Sequence, residues 1–193
     1  MTLRSEPSGF CADFKDRLNV MRKLTSIVLL FLILFALGQA QQTGPVEWSA
    51  KWRLLLGSWR AAGKGSPGEG AGEFSFQFDL QKRVIVRKSR TDYPASKDRP
   101  AFTHDDLMII YASGSQSRAD YYDNEGHVIR YTIEFSNDDQ TCTFTSDIAS
   151  GQPRFRLTYT LVKDGELAIK FEIAPPNDAE AFKMYVQGVA HKK

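Results

Sequence analysis

Cysteine and histidine are scarce in this 193-residue chain, which has two cysteines and three histidines. So few residues cannot supply a disulfide framework or the clustered ligands of a zinc site. Long apolar runs are lacking too. The longest, residues 27–37, is eleven residues, whereas a transmembrane helix needs about 20. The sequence therefore favours a domain that is stabilised by its own apolar core.

Residues 21–40 have the order of a secretory signal peptide. Residues 21–23 supply a basic start, residues 27–37 an apolar segment, and Gly38 and Ala40 the small residues before a cleavage site. We expect cleavage after Ala40, secretion or periplasmic export, and no stable membrane insertion afterwards. An uncleaved anchor is the alternative. Residues 1–20 read as an extension from a start assigned too early, with Met21 as the true initiator.

The predicted mature chain carries no net charge. Residues 1–40 contain five of the 25 Lys and Arg residues and three of the 23 Asp and Glu residues, which leaves 20 of each sign. A neutral domain has no electrostatic reason to seek nucleic acid. Cys142 is then the remaining cysteine, and its place in an alternating strand predicts a small buried apolar residue rather than a reactive thiol.

Residues 46–193 are predicted to form one all-β domain that begins with a short amphipathic helix over residues 46–56. Apolar and polar residues alternate in most of the later segments, as in residues 74–80, 129–135 and 155–161. Turn signals every 8–12 residues indicate about ten antiparallel strands. A sandwich is the alternative, but consecutive hairpins favour a closed up-and-down barrel, which leaves no exposed edges.

Two segments read as long loops, the glycine-rich residues 66–72 and the proline-containing residues 94–105. Long loops at a barrel rim commonly shape its opening. His104 is expected to be a solvated cap at the end of the second loop. Arginines 87, 130 and 156 have the parity of the outer face, so no inward arginine is expected to bind a carboxylate.

The segment Gly57-Ser58-Trp59-Arg60, continuing to Gly65, resembles the G-x-W-R-x-x-G-x-G opening of the nitrobindin-like, lipocalin-related (calycin) β-barrels. The resemblance implies that Trp59 plugs one end of the barrel and that its indole N–H binds a carbonyl. It covers residues 46–193 by strand pattern and about nine residues by signature. Haem-binding members of that family supply an axial histidine at the start of the last strand.

In this chain the corresponding residues 181–186 contain no histidine. His191 lies several residues further on, and Met184 is a conceivable but less favoured axial ligand. Haem is therefore possible through the resemblance, but no cofactor and no metal site are predicted.

The inward-facing positions are mostly aromatic, and a barrel of this size can enclose a small ligand. We therefore predict a carrier of a small apolar molecule. The residues predicted to line its site are Trp59, Phe76, Phe78, Tyr121, His127, Tyr131, Tyr159 and Phe171.

Two other functions stay open at this point. The barrel could be ligand-free and act through its rim loops as a protein-interaction module. It could also be an enzyme that uses His127 or a buried acid for proton transfer, although no nucleophile or paired-carboxylate motif is visible and no catalytic residue is predicted.

Overall fold

Within residues 47–193, ten antiparallel strands close into a barrel, which confirms the prediction of a closed antiparallel barrel of about ten strands. The structure, a computed structural model, describes residues 47–193, so the expected signal peptide and extension lie outside the described residues. The strands are β1 (Gly57–Gly65), β2 (Gly68–Asp79), β3 (Val84–Tyr93), β4 (Phe102–Ser113), β5 (Gln116–Asp123), β6 (Val128–Phe135), β7 (Thr141–Ser146), β8 (Arg154–Lys163), β9 (Glu166–Ala174) and β10 (Lys183–Lys192). Each strand pairs with its neighbour in the chain, and β1 pairs with β10 to complete the ring.

The pairing register decides which side chains enter the barrel. Trp59 in β1 lies opposite Phe74 in β2, and two residues further along β2 Phe76 lies opposite Arg87 in β3. Arg87 in turn lies opposite Met108 in β4. Because directly paired residues share a face of the sheet, all five side chains point inward.

One end of the barrel, which we call the closed half, is filled with apolar side chains. A five-residue 3-10 helix, Ala50–Leu54, lies within the segment for which the sequence predicts a longer helix. Its Trp52 packs edge-on against Phe135, with ring centroids 5.2 Å apart, and is almost fully buried. The strand connections at this end are short, at residues 80–83, 114–115, 136–140 and 164–165.

The other end, which we call the mouth half, carries the longer connections at residues 94–101, 147–153 and 175–182. Several inward-facing apolar side chains here are only partly buried; they include Ile129, Phe155, Ile169 and Phe171. The two halves therefore differ in packing. Hairpin turns and the 3-10 helix cover the closed half, and among the described residues no helix covers the mouth half.

The glycine-rich segment forms a hairpin of two strands, so the prediction of a loop over residues 66–72 is wrong. Only residues 66–67 separate β1 from β2. A Cβ atom at Gly72 would lie 1.9 Å from the backbone oxygen of Arg90, and one at Gly65 would lie 2.0 Å from that of Tyr185. These glycines therefore permit neighbouring strands to approach closely.

The second predicted loop is shorter than expected, because β4 already begins at Phe102. His104 and Asp105 thus belong to a strand and not to a loop. Cys142 is fully buried in β7, and this burial raises the pKa of its thiol. Its predicted place in the core is confirmed.

Candidate functional site

A charged pair lies inside the barrel between the closed half and the mouth half. Arg87 is 7% exposed, and its Nη1 donates a hydrogen bond to Oδ1 of Asp106 on the neighbouring strand β4. The guanidinium also lies against the rings of Phe74 and Phe76, at 5.6 and 6.0 Å from their centroids. The expectation that Arg87 faces outward is wrong, since the register places it on the same face as Phe76.

The electrostatics of this pair follow from its burial. Burial alone would lower the pKa of Arg87, but the attraction of Asp106 and other neighbours holds it above the ordinary value, so the guanidinium is charged. Burial raises the pKa of Asp106, and its electrostatic interactions with Arg87 and His104 oppose that rise. An ion pair taken out of water is costly unless further hydrogen bonds satisfy it.

Three tyrosines on β5, β6 and β8 surround the pair: Tyr121, Tyr131 and Tyr159. Burial raises the pKa of Tyr159 to about 12, and it raises the pKa values of the other two further, so all three are neutral at physiological pH. Within the described part of the chain, Nε of Arg87 and the hydroxyl of Tyr159 find no hydrogen-bond partner of normal geometry. The hydroxyl nevertheless lies close enough to the guanidinium to interact with its charge.

His104 on β4 extends the polar cluster towards the mouth. Its Nδ1 lies 2.9 Å from Oε1 of Glu125, and its Nε2 lies 3.0 Å from the hydroxyl of Tyr121 and 3.7 Å from Oδ2 of Asp106. The carboxylate of Glu125 comes from the connection between β5 and β6. The expectation that His104 is a solvated cap is therefore wrong, because its ring sits on the inward face of a strand.

Asp123, at the end of β5, organises the rim next to this cluster. It accepts hydrogen bonds from the backbone amides of Glu125 (3.0 Å) and His127 (2.9 Å) and from the Tyr121 hydroxyl (3.2 Å). Its Oδ2 also lies 2.8 Å from Nδ1 of His127. Burial raises the pKa of Asp123, but these hydrogen bonds together outweigh it and leave the pKa below the ordinary value.

The residues predicted to line one ligand site fall into separate groups. Trp59, Phe76 and Phe78 belong to the closed half, where the indole N–H of Trp59 donates to the Leu55 carbonyl at 2.8 Å. Phe171 lies in the mouth half and stacks on Phe155, with centroids 6.0 Å apart.

Tyr121, Tyr131 and Tyr159 surround Arg87, as described above. His127 lies at the rim, where its side chain is 56% exposed and its Nδ1 contacts Oδ2 of Asp123. The hydrogen bonds of the β5–β6 turn, and not the alternation of β6, decide where its ring lies.

Three residues of the cluster were not predicted as site residues: Arg87, His104 and Asp106. For His104 and Asp106 the signal was the alternation of β4, where both share the parity of Met108 and Ile110. The continuous apolar run of residues 107–112 hid this parity. For Arg87, the apolar residues 84–86 conceal the parity in the same way.

The last strand does not offer an axial ligand for haem inside the barrel. Met184 is exposed on β10, and His191 lies two-thirds exposed at the closed half, 3.6 Å from Oε2 of Glu166. The inward positions of β10 include Val186, Gly188 and Ala190, which bind no iron. A haem held from this strand therefore does not fit the residues present. Within residues 47–193, no group of three potential metal ligands is found.

The fold and the site together define a closed ten-stranded antiparallel β-barrel with an ion pair in its interior. The chain is similar in fold to the crystal structure of Rv2717c from M. tuberculosis, with a TM-score of 0.55 and 13% sequence identity over 76% of this chain and 99% of that chain.

Two other solved structures are less similar. A de novo designed fluorescence-activating β-barrel has a TM-score of 0.39 at 12% identity, covering 76% of this chain and 100% of its own. EF1p2_mFAP2b bound to DFHBI has a TM-score of 0.37 at 9% identity, covering 73% of this chain and 95% of its own. No family model matches the sequence, and no curated protein matches it. Across the described residues, no helix has the length and apolar character to cross a bilayer.

Proposed function

We propose that the barrel binds a small apolar molecule in its mouth half. The observation that carries this proposal is the partial burial of Ile129, Phe155, Ile169 and Phe171 on the inward face. Apolar side chains that face the inside of a barrel without being fully packed form a surface that an apolar ligand can cover. In the closed half, by contrast, Trp59, Phe76 and Leu167 are fully buried. The partly buried Phe78 and Phe135 of that half are already covered by the rings of Trp48 and Trp52.

The rim supports the same function. Tyr93 and Phe102 stack with centroids 4.7 Å apart, and the guanidinium of Arg99 lies 4.2 Å from the centroid of Phe102. Arg99 also donates to the Pro67 carbonyl. Residues 94–101 are thus fastened to the β1–β2 hairpin, which gives the mouth half a fixed border.

Binding is tested with a neutral fluorescent probe, N-phenyl-1-naphthylamine, and two adjacent substitutions. Ile129→Asp places a charge on the inward face of the mouth half, and we expect it to weaken probe binding about tenfold or more. Val128→Asp is the matched control, because Val128 is 67% exposed on the outer face. Equal probe affinities for the two variants, or no binding by the unmodified protein, would contradict the proposal. A barrel that binds nothing would favour the protein-interaction module.

We also propose that the protein is exported and related to the nitrobindin-like barrels. The first proposal rests on the pattern of residues 21–40, and the second on the signature of residues 57–65. Export predicts that the protein recovered from the periplasm or medium begins near Gln41. Its intact mass measures this directly, and a mass that retains residues 21–40 would refute cleavage.

A further inference from the structure

We propose that the ligand carries a neutral carbonyl oxygen, that Arg87 and Tyr159 bind this oxygen, and that Asp106 excludes carboxylates. The inference rests on the proposed binding in the mouth half and specifies the chemistry of the ligand. It assigns a polar subsite at the inner end of an otherwise apolar site.

The first observation concerns two buried polar atoms that make no hydrogen bond of normal geometry, Nε of Arg87 and the hydroxyl oxygen of Tyr159, although the hydroxyl lies within reach of the guanidinium. Arg87 and Tyr159 are both more than nine-tenths buried, and their Nε and hydroxyl groups are the unsatisfied ones. A buried polar group without a partner loses the hydrogen bonds that water gave it. Nε of arginine can only donate, and a tyrosine hydroxyl can donate as well. One acceptor oxygen placed between them would satisfy both groups.

The second observation concerns charge. Asp106 already neutralises Arg87, with its carboxylate bonded to Nη1. A carboxylate from a ligand would bring a second anion beside Asp106, and like charges in a poorly solvated site repel strongly. A ketone, amide or ester oxygen accepts the same two hydrogen bonds without adding charge.

The rim points in the same direction. Asp123 and Glu125 present carboxylates beside the mouth, and His127 and His104 are their partners. Arg154 and Arg156 lie at the same end, where each is paired with a glutamate, Glu180 and Glu172 respectively. Charges of both signs therefore border the entrance, which is not an electropositive funnel of the kind that attracts anions. The charge of Asp106 and the mixed charges of the rim therefore both favour a neutral ligand.

Entry of the ligand oxygen requires side chains around Arg87 and Tyr159 to move. Nε of Arg87 and the Tyr159 hydroxyl are shielded from solvent by the neighbouring rings of Phe74 and Phe76. The oxygen would therefore be the leading end of the ligand and would contact these groups after a rotation of the Arg87 or Tyr159 side chain. The apolar body would stay against Ile129, Phe155 and Phe171.

Three ligands of matched size test the assignment: methyl naphthyl ketone, naphthoic acid and ethylnaphthalene. Calorimetric titration of the purified protein at neutral pH should show the ketone binding about tenfold more tightly than either of the others. Tyr159→Phe should weaken ketone binding about fivefold and leave ethylnaphthalene unchanged. Tyr111→Phe is the control, because the Tyr111 hydroxyl lies on the outer face near Asp120.

Asp106→Asn tests the exclusion of carboxylates, since the amide can still accept from Arg87 but carries no charge. We expect naphthoic acid to gain about tenfold in affinity while the ketone changes less than about twofold.

The outcomes separate the two proposals. If ethylnaphthalene binds as tightly as the ketone, or the acid as tightly as the ketone in the unmodified protein, the subsite is refuted while apolar binding stands. If none of the three binds, apolar binding itself fails and the subsite fails with it. Equal effects of Tyr159→Phe and Tyr111→Phe would also overturn the role of Tyr159, even if Asp106→Asn does not fold.

Discussion

The two halves of the barrel use the same strands in different ways. In the closed half, where the turns are short and the 3-10 helix lies, Trp52, Trp59, Phe76 and Phe144 belong to one core cluster and have almost no exposure. In the mouth half the same strands end in longer connections, and the inward face holds polar groups and partly exposed apolar ones. The difference shows that most of the packed core lies at one end of the barrel, while the inward face at the other end stays partly exposed.

Trp59 provides the largest expected effect in this comparison. Trp59→Ala removes a fully buried side chain from the closed half and should lower the free energy of unfolding by about 3–5 kcal/mol. Phe171→Ala in the mouth half should cost only about 1–2 kcal/mol, because its side chain is partly exposed already. Urea denaturation of both variants measures the contrast. Similar losses for the two would show that both halves support the fold equally.

Arg87 tests whether the interior polar groups weaken or support the barrel. Arg87→Met leaves the carboxylate of Asp106 buried without its partner and should cost about 3 kcal/mol. The double variant Arg87→Met, Asp106→Leu should recover most of that loss, since it removes both charges. Urea denaturation of the single and double variants gives the two values. If the single variant lost less than about 1 kcal/mol, the pair could not be as poorly solvated as described.

Asp123 is expected to make the stability of the folded protein depend on pH. Because the pKa of Asp123 is lower in the folded protein, its hydrogen bonds contribute stability above the pKa of the unfolded chain. That contribution is lost as the pH falls through the lower, folded value. Asp123→Asn should cost about 1–2 kcal/mol at neutral pH and make stability less dependent on pH in the acid range.

Denaturation curves from neutral to acid pH measure this effect, with Asp98→Asn on the exposed 94–101 connection as the control. If the free energy of unfolding fell equally steeply with decreasing pH in the Asp123→Asn and unmodified proteins, the assignment to Asp123 would be contradicted.

Tyr159 provides the smallest expected change in stability. Tyr159→Phe removes a buried hydroxyl that makes no hydrogen bond of normal geometry among residues 47–193. The free energy of unfolding, followed by thermal denaturation, should therefore stay the same or rise by up to about 1 kcal/mol. Tyr111→Phe on the outer face is the control and should change little. A clear loss of stability in Tyr159→Phe would mean that the hydroxyl makes a bond in solution.

The sequence was sufficient for the barrel but not for its polar interior. Alternation in residues 74–80 and 129–135 predicted the strands and their inward faces, because period-two patterns report burial on one side directly. The inward orientation of Arg87 and His104 was not predicted, for a related reason. Each belongs to a strand with a continuous apolar run, where both faces look buried and parity cannot be assigned without the register of the neighbouring strands.

The glycine-rich hairpin shows a second limit. Glycine was interpreted as a loop signal at residues 66–72, yet Gly72 lies within β2 because a neighbouring backbone comes too close for any side chain. The close approach of neighbouring strands depends on the whole closed barrel, so it cannot be predicted from local sequence preferences.

The pairing of β1 with β10 also has a consequence for the order of events during synthesis. Trp59 lies opposite Lys192, and the amide of Lys193 donates to the Ser58 carbonyl at 2.9 Å. The first strand must therefore wait for the last one before the ring is complete. Contacts between such distant parts of a chain form slowly, and the unpaired edges are exposed to aggregation in the meantime.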